Sequence, residues 1–226
     1  MIKNLIDLFF PPVCSGCQAL LWTNEKVICT KCRHHLPQTY QHLQQENEAY
    51  KKFYGRIPVL HASAFLYYNK KGMVQELIHN LKYRGQQEIG THLGHWYAQD
   101  LKDSEILKEV DIIIPVPLHK KRWRTRGYNQ VSTFAEALSS ELNIPIRNDL
   151  LFKKINAQTQ AKKNLLGRMY GSQKIFEVDY TPSDHHKHYL LLDDVLTTGA
   201  TLEACSKAIL AIPGAKISVV CMAMAH

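Results

Sequence analysis

Residues Tyr189–Leu202 read YLLLDDVLTTGATL, an apolar run that meets two adjacent carboxylates and then a loop of small hydroxyl residues. Leu190 to Leu192 are expected to form a buried strand, which leaves Asp193 and Asp194 at its carboxyl edge. The following turn, through Thr197, Thr198, Gly199, Ala200 and Thr201, leads into a helix. Gly199 lets the backbone come close to a ligand, and successive N–H groups with the helix dipole suit a phosphate. Thr197, Thr198 and Thr201 add hydroxyl donors. The Lys-Ser/Thr ending of a nucleotide P-loop is missing. Two carboxylates beside a phosphate repel it unless something lies between them. A ribose fills that role, because its vicinal hydroxyls donate to both carboxylates while its 5′-phosphate occupies the loop. The expected ligand is a ribose 5-phosphate moiety.

A second constellation lies near the amino terminus, in CSGCQALLWTNEKVICTKC. Cys14, Cys17, Cys29 and Cys32 form two C-x-x-C pairs separated by 11 residues, a spacing that brings four thiolates around one tetrahedral Zn²⁺. Disulfides or a thioredoxin-like redox pair are the alternatives. Metal is favoured for a cytosolic chain. Four protein ligands leave no open position for water, so the expected zinc is structural. Cys205 and Cys221 fall in an expected helix and strand and read as core. The cluster Asp184–His188 precedes a strand in a polar loop and is the weaker metal candidate.

The chain has 226 residues, 45% of them hydrophobic, and a formal charge of +8. That charge is concentrated between Asp111 and Phe176, where 12 Lys and Arg face 4 Asp and Glu. Such a segment is either a solvated surface or a site for polyanions, phosphates and nucleic acid among them. No apolar run reaches the length that spans a bilayer. The opening MIKNLIDLFFPP is broken by Asp7 and stopped by Pro11 and Pro12, and it reads as a short helix packing Ile2, Leu5, Ile6 and Phe9 rather than a signal peptide. A cytoplasmic protein is expected.

These residues need a scaffold. Residues 1–37 read as the helix and four-cysteine module, 38–57 as a polar linker, and 58–226 as an α/β body. Within the body, Val59–Gly72 reads as strand, turn and strand. Val74, Leu77, Ile78 and Leu81 have helical spacing, with Gly85 as the stop. A second helix covers Glu88–Leu101, and VDIIIPVP at Val110–Pro117 reads as a short buried strand. Further helices cover Gln130–Leu142 and Thr201–Ile212, and a last strand covers Ala215–Ala225. Strands alternating with helices imply a parallel sheet covered on both faces, with ligands at the carboxyl ends of strands.

The stretch LLLDDVLTTGAT resembles the motif by which type I phosphoribosyltransferases bind 5-phosphoribosyl 1-diphosphate (PRPP). LKYRG at Leu81–Gly85, VPLHKKRWRTRGYNQ at Val116–Gln130 and the double C-x-x-C together resemble the ComF family, in the expected order over nearly the whole chain. The resemblance implies a type I phosphoribosyltransferase fold with a zinc-ribbon-like amino terminus. It assigns the ribose to Asp193 and Asp194, and the 5′-phosphate to the turn Thr197–Thr201. It places the diphosphate loop at PVPLHKKR, with Lys120, Lys121 and Arg122 as contacts and Arg126 at the following turn. Asn129 and Gln130 are expected to cap a helix and hold the turn. Gln160 and Arg168 match the family's mobile loop, while Ala157 and Gly171 depart from it.

The resemblance further implies a Mg²⁺-PRPP cosubstrate and a role in natural transformation, handling incoming single-stranded DNA. One reading is phosphoribosyl transfer to an acceptor with release of pyrophosphate. The other is an adaptor that senses PRPP and binds single-stranded DNA and a ComFA-like DNA-uptake helicase. Trp123, Tyr128 and Tyr170, interleaved with the basic segment, suit either base stacking or the core.

Overall fold

The computed structural model describes residues 11–118, 120–153 and 175–225. Gln160, Arg168, Ala157, Gly171, Tyr170 and the expected helix carrying Ile2, Leu5, Ile6 and Phe9 lie outside the described residues. Four parallel strands form the central sheet: β1 (His61–Tyr68), β2 (Ile112–Pro115), β5 (His188–Leu196) and β6 (Lys216–Ala225), in the order β1-β6-β5-β2. A parallel sheet needs both faces covered, and β5 and β6 accordingly carry near-continuous apolar runs. Among the described residues no helix is long and apolar enough to cross a membrane.

One face is covered by α3 (Met73–Tyr83), α4 (Glu88–Leu101) and α7 (Ser132–Leu142). Here Leu77, Leu93 and Phe134 pack with Leu190 and Leu192 of β5. Helices α4 and α7 run unusually close, because Gly90 and Gly94 face Thr133, Phe134 and Ala137. A Cβ on Gly94 would lie 2.7 Å from that of Ala137. The other face is covered by α8 (Ala200–Ile209) and by the antiparallel pair β3 (Leu151–Lys153) and β4 (Phe176–Val178). Leu202, Cys205 and Ile209 pack there with Tyr189 and Leu191. Alternate residues of β5 thus serve opposite faces.

Among the described residues, two short α-helices precede the sheet, α1 (Thr30–His35) and α2 (Glu48–Lys51). Residues 37–39 run antiparallel along β1, where Tyr67 N donates to Pro37 O at 2.8 Å and Thr39 N to Phe65 O at 3.0 Å. Asn47 caps α2 and donates to Ala62 O of β1 at 2.8 Å. The segment that follows α2 buries Phe53 completely.

Two expectations change. Val59–Gly72 holds one strand rather than two, because the turn at Lys71 and Gly72 delivers the chain straight into α3, whose apolar residues have helical spacing. Residues Lys120–Arg126, expected as loop, form helix α6, which follows α5 (Glu105–Lys108) and β2. Its Lys- and Arg-rich composition favours helix, and Gly127 ends it at φ 76°, with its N–H on Trp123 O at 2.7 Å.

Candidate functional site

Both aspartates lie inside β5, which continues to Leu196 because β6 keeps pairing with it as far as Met224. On the other side, β2 stops at Pro115, opposite Leu192. Consecutive strand residues point to opposite faces, so the pair is divided. Asp193 takes the face of Tyr189 and Leu191, and Asp194 that of Leu190 and Leu192.

Asp193 lines a concavity of about 40 Å³ together with Val195, Thr197, Thr198, Gly199 and Thr201. The chain turns there into α8, with Gly199 as its N-cap at φ 76°. That left-handed backbone favours glycine. Thr197, Thr198, Ala200 and Thr201 are exposed, whereas Gly199 is buried against Phe53. Ala200 N donates to Thr198 Oγ1 at 3.4 Å. Behind the carboxylate lie Cys205 and Cys221, whose thiols are pushed up by burial and further by the Asp193 charge. The structure therefore brings Asp193 and the Thr197–Thr201 turn into one site. It does not place both carboxylates on the loop's face.

Asp194 is 7% exposed, and both of its oxygens are engaged. Lys82 Nζ, from the end of α3, lies 2.7 Å from Oδ1. Gln130 Nε2 donates to Oδ2 at 2.5 Å. A buried carboxylate needs such compensation, since desolvation otherwise penalises its charge heavily. The network continues outward: Arg126 Nη1 donates to Gln130 Oε1 at 2.8 Å and Nη2 to Tyr83 Oη at 3.2 Å. The Arg126 guanidinium also stacks 4.9 Å from the Tyr83 ring centre.

Of the residues assigned to the diphosphate, Lys120, Lys121 and Arg122 make up the first turn of α6, and Arg126 is held in this network. Asn129 holds the turn as expected, donating to Val116 O at 3.0 Å and accepting from Val131 N. Gln130 binds Asp194 instead of capping a helix. Trp123 stands 50% exposed, whereas Tyr128 turns inward to donate its hydroxyl to Leu81 O.

Alongside α3, the ligand atoms of Cys14, Cys17, Cys29 and Cys32 all lie within 4.8 Å of one another. Gly16 N and Cys29 N aim at the Cys14 sulfur, at 3.4 and 3.2 Å, and Cys32 N aims at that of Cys29. Burial alone would raise the Cys14 thiol. The N–H groups of Cys29, Cys17 and Gly16 outweigh it and bring its pKa down to about 7. N–H groups converging on sulfur, and four sulfurs within a few ångströms, fit a single tetrahedral metal ion. The cluster is docked on α3: Asn80 Nδ2 donates to Ser15 O at 2.9 Å, and Gly16 sits against Met73. Asp184, from the weaker metal candidate, instead accepts from Thr181 N at 2.8 Å and pairs with Arg147.

Sequence reading missed Lys82 as a partner of Asp194, because a basic residue at a helix end is already explained by the dipole. It also missed Arg56, whose Nη1 donates to Thr198 O at 2.8 Å across 142 residues of chain.

No family model matches the chain. It is 33% identical over 136 residues to competence protein F of Haemophilus influenzae, covering 58% of this chain and 59% of that protein. It is 27% identical to competence protein ComFC of Bacillus subtilis, over 88% of this chain and 78% of that protein. With the DNA utilization protein YhgH of Escherichia coli the identity is 24%, over 93% and 89%. Among solved structures, a Trypanosoma cruzi hypoxanthine phosphoribosyltransferase matches with TM-score 0.38 and 16% identity, over 61% of this chain and 74% of that one. A UMP synthase of Leishmania donovani matches with TM-score 0.33 and 17% identity, over 65% and 24%. With its four-cysteine cluster and parallel-sheet α/β body, the chain is similar to the ComF-type competence proteins.

Proposed function

We propose that this chain binds PRPP at the end of β5 and acts in the cytoplasm on incoming single-stranded DNA during natural transformation, with a zinc ion in its cysteine cluster. The observation that carries the reading is the shared concavity of Asp193 and the Thr197–Thr201 turn. Main-chain N–H groups at the start of α8, with the Thr197, Thr198 and Thr201 hydroxyls, hold a 5′-phosphate. Asp193 accepts from a ribose hydroxyl beside it. Asp194, fixed by Lys82 and Gln130, sets the strand end and passes that placement to Arg126 and α6. Mg²⁺ bound with the diphosphate supplies charge neutralisation for departing pyrophosphate. Lys120, Lys121 and Arg122 are the proposed diphosphate contacts, and Gln160 and Arg168, outside the described residues, are the proposed counterparts of the family's mobile loop.

A second reading, a non-catalytic adaptor with PRPP as a sensed ligand, is favoured by one feature. Arg126 is occupied by Tyr83 and Gln130 instead of standing open to a diphosphate. In that reading the basic segment and exposed Trp123 meet single-stranded DNA, and a DNA-uptake helicase is the protein partner. Under both readings Mg²⁺-PRPP protects the metal-loaded protein against thermal unfolding. Absence of protection at millimolar PRPP contradicts both. Pyrophosphate release favours transfer to an acceptor. Binding without release, with a DNA affinity that falls steeply with salt, favours the adaptor.

A further inference from the structure

The turn that would hold a phosphate does not stand alone. Arg56, from the segment after α2, reaches across it. Arg56 Nη1 donates to Thr198 O and to Lys52 O, each at 2.8 Å. Nη2 pairs with Glu203 in the first turn of α8. Phe53, three residues earlier, is fully buried beneath Gly199, where an added Cβ would come within 3.0 Å of its ring. The same short segment thus supports the turn from below with an aromatic ring and from outside with a guanidinium.

The peptide geometry gives this contact a direction. In a trans peptide the carbonyl and the following N–H point to opposite sides. Holding the Thr198 carbonyl on Arg56 therefore turns the Gly199 N–H away from the guanidinium, within a turn whose residues line the concavity with Asp193. We infer that Arg56 is a positioning residue of the anion turn, fixing the Thr198–Gly199 peptide so that its N–H serves a phosphate monoester. The pairing with Glu203 anchors the guanidinium and is not itself the cause of binding. This inference rests on the reading of the turn as a phosphate site.

The test is titration of the full-length, metal-loaded protein with ribose 5-phosphate, followed by calorimetry and by the Gly199 amide signal in ¹⁵N-resolved NMR. Wild type is expected to bind and to shift that signal. Arg56→Ala is expected to bind about tenfold more weakly, equivalent to about 1.4 kcal/mol, and to leave the Gly199 amide largely unmoved. Arg56→Lys, which keeps one donor and the charge, should recover part of both. An Arg56→Ala/Glu203→Gln double variant should stay as weak as Arg56→Ala. Full recovery in the double variant would mean that Arg56 merely neutralises Glu203, and would overturn the inference. So would wild-type affinity in a folded Arg56→Ala protein. If wild type itself does not bind ribose 5-phosphate, the phosphate reading of the turn fails instead.

Discussion

Lys82 Nζ lies 2.7 Å from Asp194 Oδ1 although 112 residues separate the two in the chain, and this contact ties α3 to the strand that carries both aspartates. The side chains are 19% and 10% exposed, so the pair is poorly screened by water. Removing the lysine alone leaves a buried carboxylate held by Gln130 only. Lys82→Met is expected to cost on the order of 3 kcal/mol of stability. Lys82→Met/Asp194→Leu should recover most of it, because no charge is then stranded. Chemical denaturation of the three proteins measures both effects, and equal losses in the single and double variants would count against the pairing.

Gly199 is the position where the turn tolerates no side chain. Its φ is 76°, and a Cβ would press on the Phe53 ring at 3.0 Å. Gly199→Ala should therefore lose roughly 1–2 kcal/mol from backbone strain, and it should lose ribose 5-phosphate affinity as well. Denaturation and titration of the same preparation read the two losses together. A stable variant with unchanged affinity would show that the backbone of this turn is not a ligand contact.

The cysteine cluster is expected to hold stoichiometric zinc, seen by native mass spectrometry. Chelation should lower the unfolding temperature, because a structural site contributes folding free energy directly. Cys17 is exposed while Cys14, Cys29 and Cys32 are buried, so Cys17 should be the first thiol alkylated after metal removal. Cys205 and Cys221 should stay unreactive in the folded protein, since burial and the Asp193 charge both disfavour their thiolates. Early alkylation of Cys205 would contradict its place on the buried face of α8.

A pH dependence follows from His61 in β1. Burial, aided by His42 and His188, pushes its pKa down to about 4, and its Nε2 meets Ser63 Oγ at 2.8 Å. The folded value lies below the unfolded one of 6.5, so between the two the unfolded chain binds a proton that the fold refuses. Stability is thus full above pH 6.5 and declines as pH falls through this window, by up to about 1.4 kcal/mol per pH unit for one proton. His61→Gln should flatten the decline. A slope remains from His42, His92 and His188, whose pKa values burial also lowers. An unchanged slope in His61→Gln would mean that His61 is not buried neutral.

The parts of the site legible in the sequence are those that are local. The Thr-Thr-Gly turn, the helix that follows it and the two C-x-x-C pairs carry their chemistry within a few residues, and α3, α4 and α7 announce themselves by apolar spacing. The division of Asp193 from Asp194 was implicit in the two-residue period of a strand. It was hidden by ending that strand too soon, because the extent of β5 is set by β6 rather than by its own apolar run. Lys82, Gln130 and Arg56 were not legible as site residues. Each has an adequate local role, as a helix-end cation, a cap or a polar turn residue, and each acquires its partner only across 64 to 142 residues of chain.

The proposed ribose-phosphate site joins Asp193 to the Thr197–Thr201 turn. The most direct measurement is calorimetric titration of Mg²⁺-PRPP into folded, metal-loaded wild type and into Asp193→Asn. Wild type is predicted to bind saturably, and Asp193→Asn to bind at least about tenfold more weakly, a loss of about 1.4 kcal/mol. Absence of binding by wild type, or equal binding by the two proteins, would contradict the assignment.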